Sequence, residues 1–353
     1  MDRASGPKPA RERGRQQATR IVWRALAVAA PLCVASALLL AGCGRATDTP
    51  SVFRPEGTGG QHIVTLATIM FSILAGVLLT VWIILTYVII RYRKRPESEA
   101  SKTRGNTTIE IVWTAIPAVI VAVLFGLTVA MTGAISLGTK NVTFTATGHQ
   151  WWWALQYSGA TFETANEIHV PVDRTVTANL LSADVIHSYW VPQMGGKVDL
   201  IPGHVNRVSF LPVKTGRYLG VCSEFCGKQH ANMRFLLFVQ TPTQFAQWFA
   251  NQVKPAAAPV SPQAKAGAAV IGTLACGGCH TIRGTSLKGT YGPDLTHLAS
   301  RSTIAAVTLL NTPPNLSHWI ADPQGVKPGT YMPQITVPPQ TLDQIVAYLS
   351  ELQ

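Results

Sequence analysis

The sequence predicts a membrane-anchored, multidomain protein: a two-helix transmembrane hairpin, an all-β sandwich and an all-α C-terminal domain. Three observations carry this. Two long apolar spans, Ile63 to Ile90 and Ile111 to Thr139, contain no Asp, Glu, Lys or Arg. Short runs with period-two alternation fill the middle of the chain, and helix signals fill its last part. At 353 residues and 47% apolar composition, two modest globular domains fit beside the membrane segments.

The hairpin is assigned to 61–139, and each span exceeds the roughly 20 residues that cross a bilayer. Pro117 lies inside the second span, where helix breakers are tolerated better than in soluble helices. Between the spans lie Arg91, Arg93, Lys94, Arg95, Lys102 and Arg104, which the positive-inside rule keeps cytoplasmic. Everything after Lys140 then lies on the outer face. The net charge of +12 has the same explanation. Residues 1–42 contribute +5, residues 91–108 contribute +4, and the rest only about +3. Basic residues beside apolar spans orient helices, so no nucleic-acid partner is implied.

The N-terminus has Arg11, Arg13, Arg15, Arg20 and Arg24, an apolar stretch from Ala25 to Leu40, and small residues before Cys43. This is the pattern of a secretory signal over 1–42. Leu40-Ala41-Gly42-Cys43 resembles a bacterial lipoprotein cleavage box, which implies a lipid on Cys43; an uncleaved anchor with an incidental cysteine is the alternative. Cys33 would be lost with the signal.

Residues 140–250 contain NVTFTAT, TVTANLL, VNRVSFLPV and MRFLLFVQ, separated by Gly, Pro and Asp. Such runs predict an antiparallel sandwich or barrel. KPAAAPVSPQAKAG has linker composition, placing a linker at 251–266. Residues 267–353 end in TLDQIVAYLSELQ, where Thr341 and Gln344 have capping-box spacing and Leu342, Ile345, Val346 and Leu349 form an apolar stripe.

The segment CSEFCGKQHANM places Cys222, Cys226, His230 and Met233 within twelve residues. Two thiolates, an imidazole and a thioether suit copper in an electron-transfer site. Zinc more usually takes Cys-x2-Cys pairing and does not recruit Met. Cys276-Gly277-Gly278-Cys279-His280 is the Cys-x-x-Cys-His pattern of covalent c-type haem attachment. No βαβ pattern surrounds it, which disfavours a thioredoxin-like reading.

The copper segment closely resembles the CuA loop of cytochrome c oxidase subunit II and of nitrous oxide reductase. The resemblance implies a cupredoxin-like Greek-key sandwich in which Cys222 and Cys226 bridge two coppers, capped by His187 (from DVIHSYWVP) and His230. It implies Met233 as a weak ligand and the Glu224 backbone carbonyl as another. The Glu224 side chain would reach a magnesium at the boundary with subunit I, and Asp199 in GGKVDLIPG would lie near that boundary. GHQWWWALQY resembles the family's aromatic segment, which implies that electrons enter from cytochrome c at Trp151; Trp152 and Trp153 read as packing residues. YGPDLTHLASR and GTYMPQ resemble a class I cytochrome c domain fused to the C-terminus. They imply Pro293 as the carbonyl partner of His280, and His280 with Met332 as axial ligands. TTIEIVWTAIPA resembles the segment whose glutamate, Glu110 here, sits at the mouth of a proton channel in subunit I. The remaining histidines, His169 among them, read as surface, capping or interface residues.

The expected function is electron input to a terminal oxidase in a bacterial plasma membrane. Electrons would come from cytochrome c or a cytochrome bc complex, pass through haem c and dinuclear CuA, and reach subunit I. There oxygen is reduced and protons are pumped, with subunit III as a further partner. A nitric oxide reductase component is the nearest alternative, and a membrane-anchored copper-delivery protein is the alternative from another class.

Overall fold

The computed structural model describes residues 50–92, 105–135 and 143–353. Cys33, Cys43 and the basic residues from Arg93 to Arg104 lie outside the described residues.

Helices α1 (Thr58–Tyr92) and α2 (Thr107–Ile135) pack against each other as the hairpin. At 35 residues α1 runs about 50 Å, more than the roughly 30 Å of bilayer hydrocarbon. Hydroxyls in these apolar helices turn back on their own backbone: Thr65, Thr68, Ser72 and Thr80 each donate to the carbonyl four residues earlier. That satisfies them without water. The head of α1 is tied to the next domain, for the Gly57 N–H donates to the Gln193 carbonyl at 3.1 Å and that of Gly60 to Met194 at 3.2 Å.

The sandwich holds ten strands: β1 Phe144–His149, β2 Trp152–Tyr157, β3 Glu163–Ala165, β4 Glu167–Pro171, β5 Val176–Ser182, β6 His187–Trp190, β7 Val198–Leu200, β8 Asn206–Phe210, β9 Gly216–Cys222 and β10 Arg234–Gln240. One sheet has the order β3-β2-β1-β5-β8, the other β4-β10-β9-β6-β7. Pairing is mostly antiparallel, as the sequence predicts, but β1–β5 and β4–β10 are parallel. A parallel pair needs a long crossover. Here β1 reaches β5 only through strands that include β4 of the other sheet, a relation between distant segments that local patterning does not carry. Phe144, Trp153, Leu155, Phe235 and Leu237 fill the space between the sheets.

Helix α3 (Pro242–Gln252) starts with a capping box between Thr241 and Gln244 and lays Phe245, Trp248 and Phe249 on the sandwich. It thereby extends the β domain to the edge of the predicted linker. Helix α4 (Pro262–Ile271) begins inside that linker, because Ser261 caps it and Pro262 occupies N1. The C-terminal domain continues with the β11 (Thr303–Ile304) and β12 (Leu309–Leu310) hairpin, then α5 (Pro313–Ala321), α6 (Pro323–Val326) and α7 (Pro339–Ser350). The predicted stripe is seen on α7, where Ile345, Val346 and Leu349 are buried against α4. Its start lies earlier than Thr341, since Pro339 takes N1 after Pro338.

His169 departs from the sequence reading, for it is buried and stacked between Phe238 and Trp248 at 4.6 and 4.1 Å. Desolvation pushes its pKa down to about 4. The unfolded chain, with an ordinary histidine near 6.5, binds the extra proton between those values, so stability falls as pH drops through 6.5 towards 4. His169→Phe keeps the stack and removes the titration. We expect it to flatten this part of the unfolding profile by up to about 3 kcal/mol at pH 4, measured by denaturant titration of the purified chain.

Candidate functional site

The loop that carries five of the six predicted metal ligands runs from Cys222, the last residue of β9, to Met233, just before β10. The Cys222 N–H donates to the Met233 carbonyl at 3.0 Å and closes the loop on itself. Inside it the Cys226 sulfur lies 3.8 Å from the Cys222 sulfur, 3.6 Å from His230 Nδ1 and 3.8 Å from Met233 Sδ. His187 opens β6 beside β9 and brings Nδ1 to 3.9 Å from Cys222 Sγ. The Glu224 carbonyl stands 3.3 Å from the same sulfur. The six predicted ligands thus converge in a largely buried pocket of soft donors.

The sequence reading missed Asp184. Its Oδ1 lies 2.7 Å from His187 Nε2, which makes that nitrogen the N–H donor and leaves the Nδ1 lone pair for a metal. Burial lowers the His187 pKa, but Asp184 and Cys222 outweigh it and the ring is raised above its ordinary value. The two thiols split in acidity: the hydrogen bond they share draws Cys222 down and pushes Cys226 up. Gly148 makes room for the imidazole, because a Cβ there would stand 2.7 Å from His187 Cδ2. The Glu224 carboxylate faces outward and pairs with Lys197 at 3.6 Å, both half exposed, an ion pair of little energetic weight.

Trp153 is buried among His187, Tyr189 and Phe235, and Trp152 stacks on His149, as packing roles require. Trp151 is only 7% exposed. Its indole N–H donates to the Cys226 carbonyl at 2.9 Å, and its ring lies parallel to Tyr331 at 6.5 Å.

That tryptophan also borders a cavity of about 550 Å³ lined by Cys276, Cys279, His280, Met332 and Arg301. A tight turn over Ala275–Gly278 carries the first cysteine, and the His280 N–H bonds back to the Cys276 carbonyl at 2.9 Å. His280 Nδ1 donates to the Pro293 carbonyl at 2.8 Å, which leaves Nε2 for an iron. A Cβ on Gly292 would come within 2.7 Å of the His280 ring. Arg301 supplies an independent sign of the occupant: its Nε is buried without an acceptor. A guanidinium nitrogen so placed calls for an anionic oxygen, which the carboxylates of haem would provide. Glu110 is exposed in the first turn of α2, behind the Asn106 cap.

Residues 158–239 match the family described as cytochrome c oxidase subunit II, periplasmic domain, residues 58–129 match its transmembrane domain, and residues 264–353 match cytochrome c. A cytochrome c oxidase subunit 2 from Alkalihalophilus pseudofirmus is 30% identical over 94% of this chain and 98% of its own. The chain belongs to the cytochrome c oxidase subunit 2 family. The subunit 2 of Bacillus subtilis is 28% identical over 84% of this chain and 88% of its own. A quinol oxidase subunit 2 from Bacillus cereus is 29% identical over 66% of this chain and 81% of its own. The solved periplasmic domain of cytochrome oxidase subunit II from Bradyrhizobium japonicum is 36% identical, covering 32% of this chain and 93% of that one, with a TM-score of 0.31.

Membership gives the architecture its names: two apolar membrane helices, a cupredoxin-like domain and a C-terminal cytochrome c domain. It implies copper for the first globular domain and haem for the second, and the donor sets just described fit both. Two substitutions should separate the sites. Asp184→Ala removes the partner of His187, and copper affinity measured by competitive chelation should fall ~10–100-fold with the haem band unchanged. Gly292→Ala should do the reverse, displacing His280 and weakening haem attachment while the copper content holds.

Proposed function

We propose that this chain is the electron-accepting subunit of a terminal haem-copper oxidase in a bacterial plasma membrane, with both globular domains on the outer face. The observation that carries the reading is Trp151, which touches the Cys226 carbonyl on one side and lines the haem cavity on the other. Haem c and a thiolate-bridged copper pair supply the redox chemistry when bound: one electron at a time is held at the iron or shared by the coppers. Cys276 and Cys279 would anchor the haem as thioethers, and His280 and Met332 would ligate its iron. Cys222, Cys226, His187, His230, Met233 and the Glu224 carbonyl would together hold the copper pair. A Met/His axial pair favours a high haem potential, suited to passing electrons onward.

The partners of this reading are subunit I, where oxygen is reduced and protons are pumped, subunit III, and a cytochrome c or cytochrome bc complex as donor. Glu110, at the membrane boundary, would serve proton uptake into subunit I. A magnesium beside Glu224 would need its other donors from subunit I. Lipid on Cys43 would add a further anchor. A nitric oxide-reducing partner would use the same two sites, whereas a copper-delivery protein has no use for the haem cavity.

Optical and EPR spectra of the purified chain, expressed with haem attachment and loaded with copper, test this. A c-type haem band together with the multi-line signal of a mixed-valence copper pair is expected. Cys226→Ser should erase the copper signal and keep the haem band. A haem band without any copper-pair signal in the unaltered chain would overturn the copper assignment.

A further inference from the structure

The haem cavity and the sulfur loop belong to different domains, so something must hold one on the other. Lys327, directly after α6, is 2% exposed. Its ammonium donates to three carbonyls: Trp151 at 2.8 Å, Asn232 at 2.8 Å and Ala305 at 3.1 Å. An ammonium has three protons, and here each has an acceptor. Two of these carbonyls belong to the copper domain, one on the tryptophan between the sites and one beside Met233. The third, on Ala305, belongs to a turn where Ala305, Ala306 and Val307 all adopt positive φ, from 53° to 63°. Non-glycine residues hold that conformation only when their surroundings fix it, and Ala305 and Ala306 line the haem cavity. Desolvation, with Arg234 nearby, pushes Lys327 down to about 7, while Cys226 acts in the opposite direction. The neutral amine would still supply two of the three donors.

A second buried contact lies on the same interface. Glu167 of β4 is 4% exposed, and its Oε1 accepts from the Ser302 N–H at 2.8 Å, the Ser302 hydroxyl at 2.6 Å and the Thr303 N–H at 3.3 Å. Beside Lys327, Gln229 donates to the Pro328 carbonyl at 2.8 Å, and Tyr331 lies parallel to the Trp151 ring. Lys327 and Glu167 are therefore both buried at the joint, each bonded mainly to backbone of the opposite domain. Side-chain rotation alone cannot transfer such bonds to other partners.

We propose that Lys327 is a positioning residue that latches the cytochrome c domain onto the copper loop, with Glu167 as its second point, and that the latch closes Trp151 to any separate protein donor. External electrons then have access only at the haem. The functional meaning of the latch rests on the reading above, but the latch itself is a property of the chain.

The test uses the full-length chain loaded with haem and copper, unaltered and as Lys327→Met. Oxidative footprinting with mass spectrometry reports the accessibility of Trp151, and flash photoreduction of the haem reports transfer to copper as a function of solvent viscosity. In the unaltered chain Trp151 is protected and transfer is independent of viscosity. In Lys327→Met we expect Trp151 oxidation to rise at least fivefold. Transfer should slow at least tenfold and become viscosity-dependent, with both optical spectra unchanged. Either readout left at its original value in the variant, or viscosity-dependent transfer in the unaltered chain, overturns the proposal. If Lys327→Met fails to load its cofactors, Glu167→Ala, which hydrogen-bonds to none of the ligands, is read by the same two criteria. Missing haem or copper signals in the unaltered chain would count against the cofactor reading instead, and footprinting would still decide the latch.

Discussion

The backbone hydrogen bond from Cys222 to Met233 is the constraint on which the rest of this molecule depends. It joins the first and last residues of the loop across the β9–β10 pair, so the donor atoms between them sit in a closed frame. Soft ligands on an open loop would be free to swing. Here the frame continues sideways into β6, which delivers His187 next to Cys222. Trp151, at the turn between β1 and β2, rests on the Cys226 carbonyl rather than on its sulfur. The loop thus presents its sulfur to a metal and its backbone to the neighbouring domain, and the two roles do not compete for the same atoms.

Much of this was legible in the sequence because the chemistry is local. CSEFCGKQHANM and CGGCH each compress most of a site into a few residues, and charge-free apolar spans need no tertiary information to be recognised. What the sequence concealed depends on long-range placement. Asp184 lies three residues before His187 in the quoted segment, yet an aspartate in a loop has many ordinary roles, and only the 2.7 Å contact singles it out. The parallel pairs β1–β5 and β4–β10 follow from strands changing sheets, which alternation alone does not encode. Thr341 and Gln344 imitate a capping box inside α7, whereas the Pro338-Pro339 pair sets the boundary of the helix.

Lys327 and Glu167 were illegible for another reason. A lysine near a proline and a glycine reads as a solvated surface residue, and most lysines are exposed. Burying a charge is costly unless every donor and acceptor is met, and a well-packed apolar pair at the same place would often be as stable or more so. What polar contacts offer in exchange is direction. An apolar patch tolerates sliding by an ångström, whereas three carbonyls around one ammonium fix a single register. Where two redox sites must stay adjacent, registration is worth more than adhesion.

The same reasoning extends towards the membrane. α1 enters the copper domain through short backbone contacts: Gly57 to Gln193, Gly60 to Met194, and Thr58 to Leu211. A Cβ at Gly60 would stand 2.7 Å from the Gln193 carbonyl, so this approach requires glycine. Lys214 and Glu56 add an ion pair at 2.9 Å. Gln193 and Met194 follow β6, the strand that His187 opens, so His187 and the helix anchor are joined by a few residues of strand and turn. Backbone contacts bind the membrane hairpin to the copper domain, and the copper domain is in turn bound to the cytochrome domain through Lys327 and Glu167. The first joint is made largely between main-chain atoms, and in the second a buried side chain meets main-chain groups of the facing domain, so in both the path of the chain fixes where the partner groups stand.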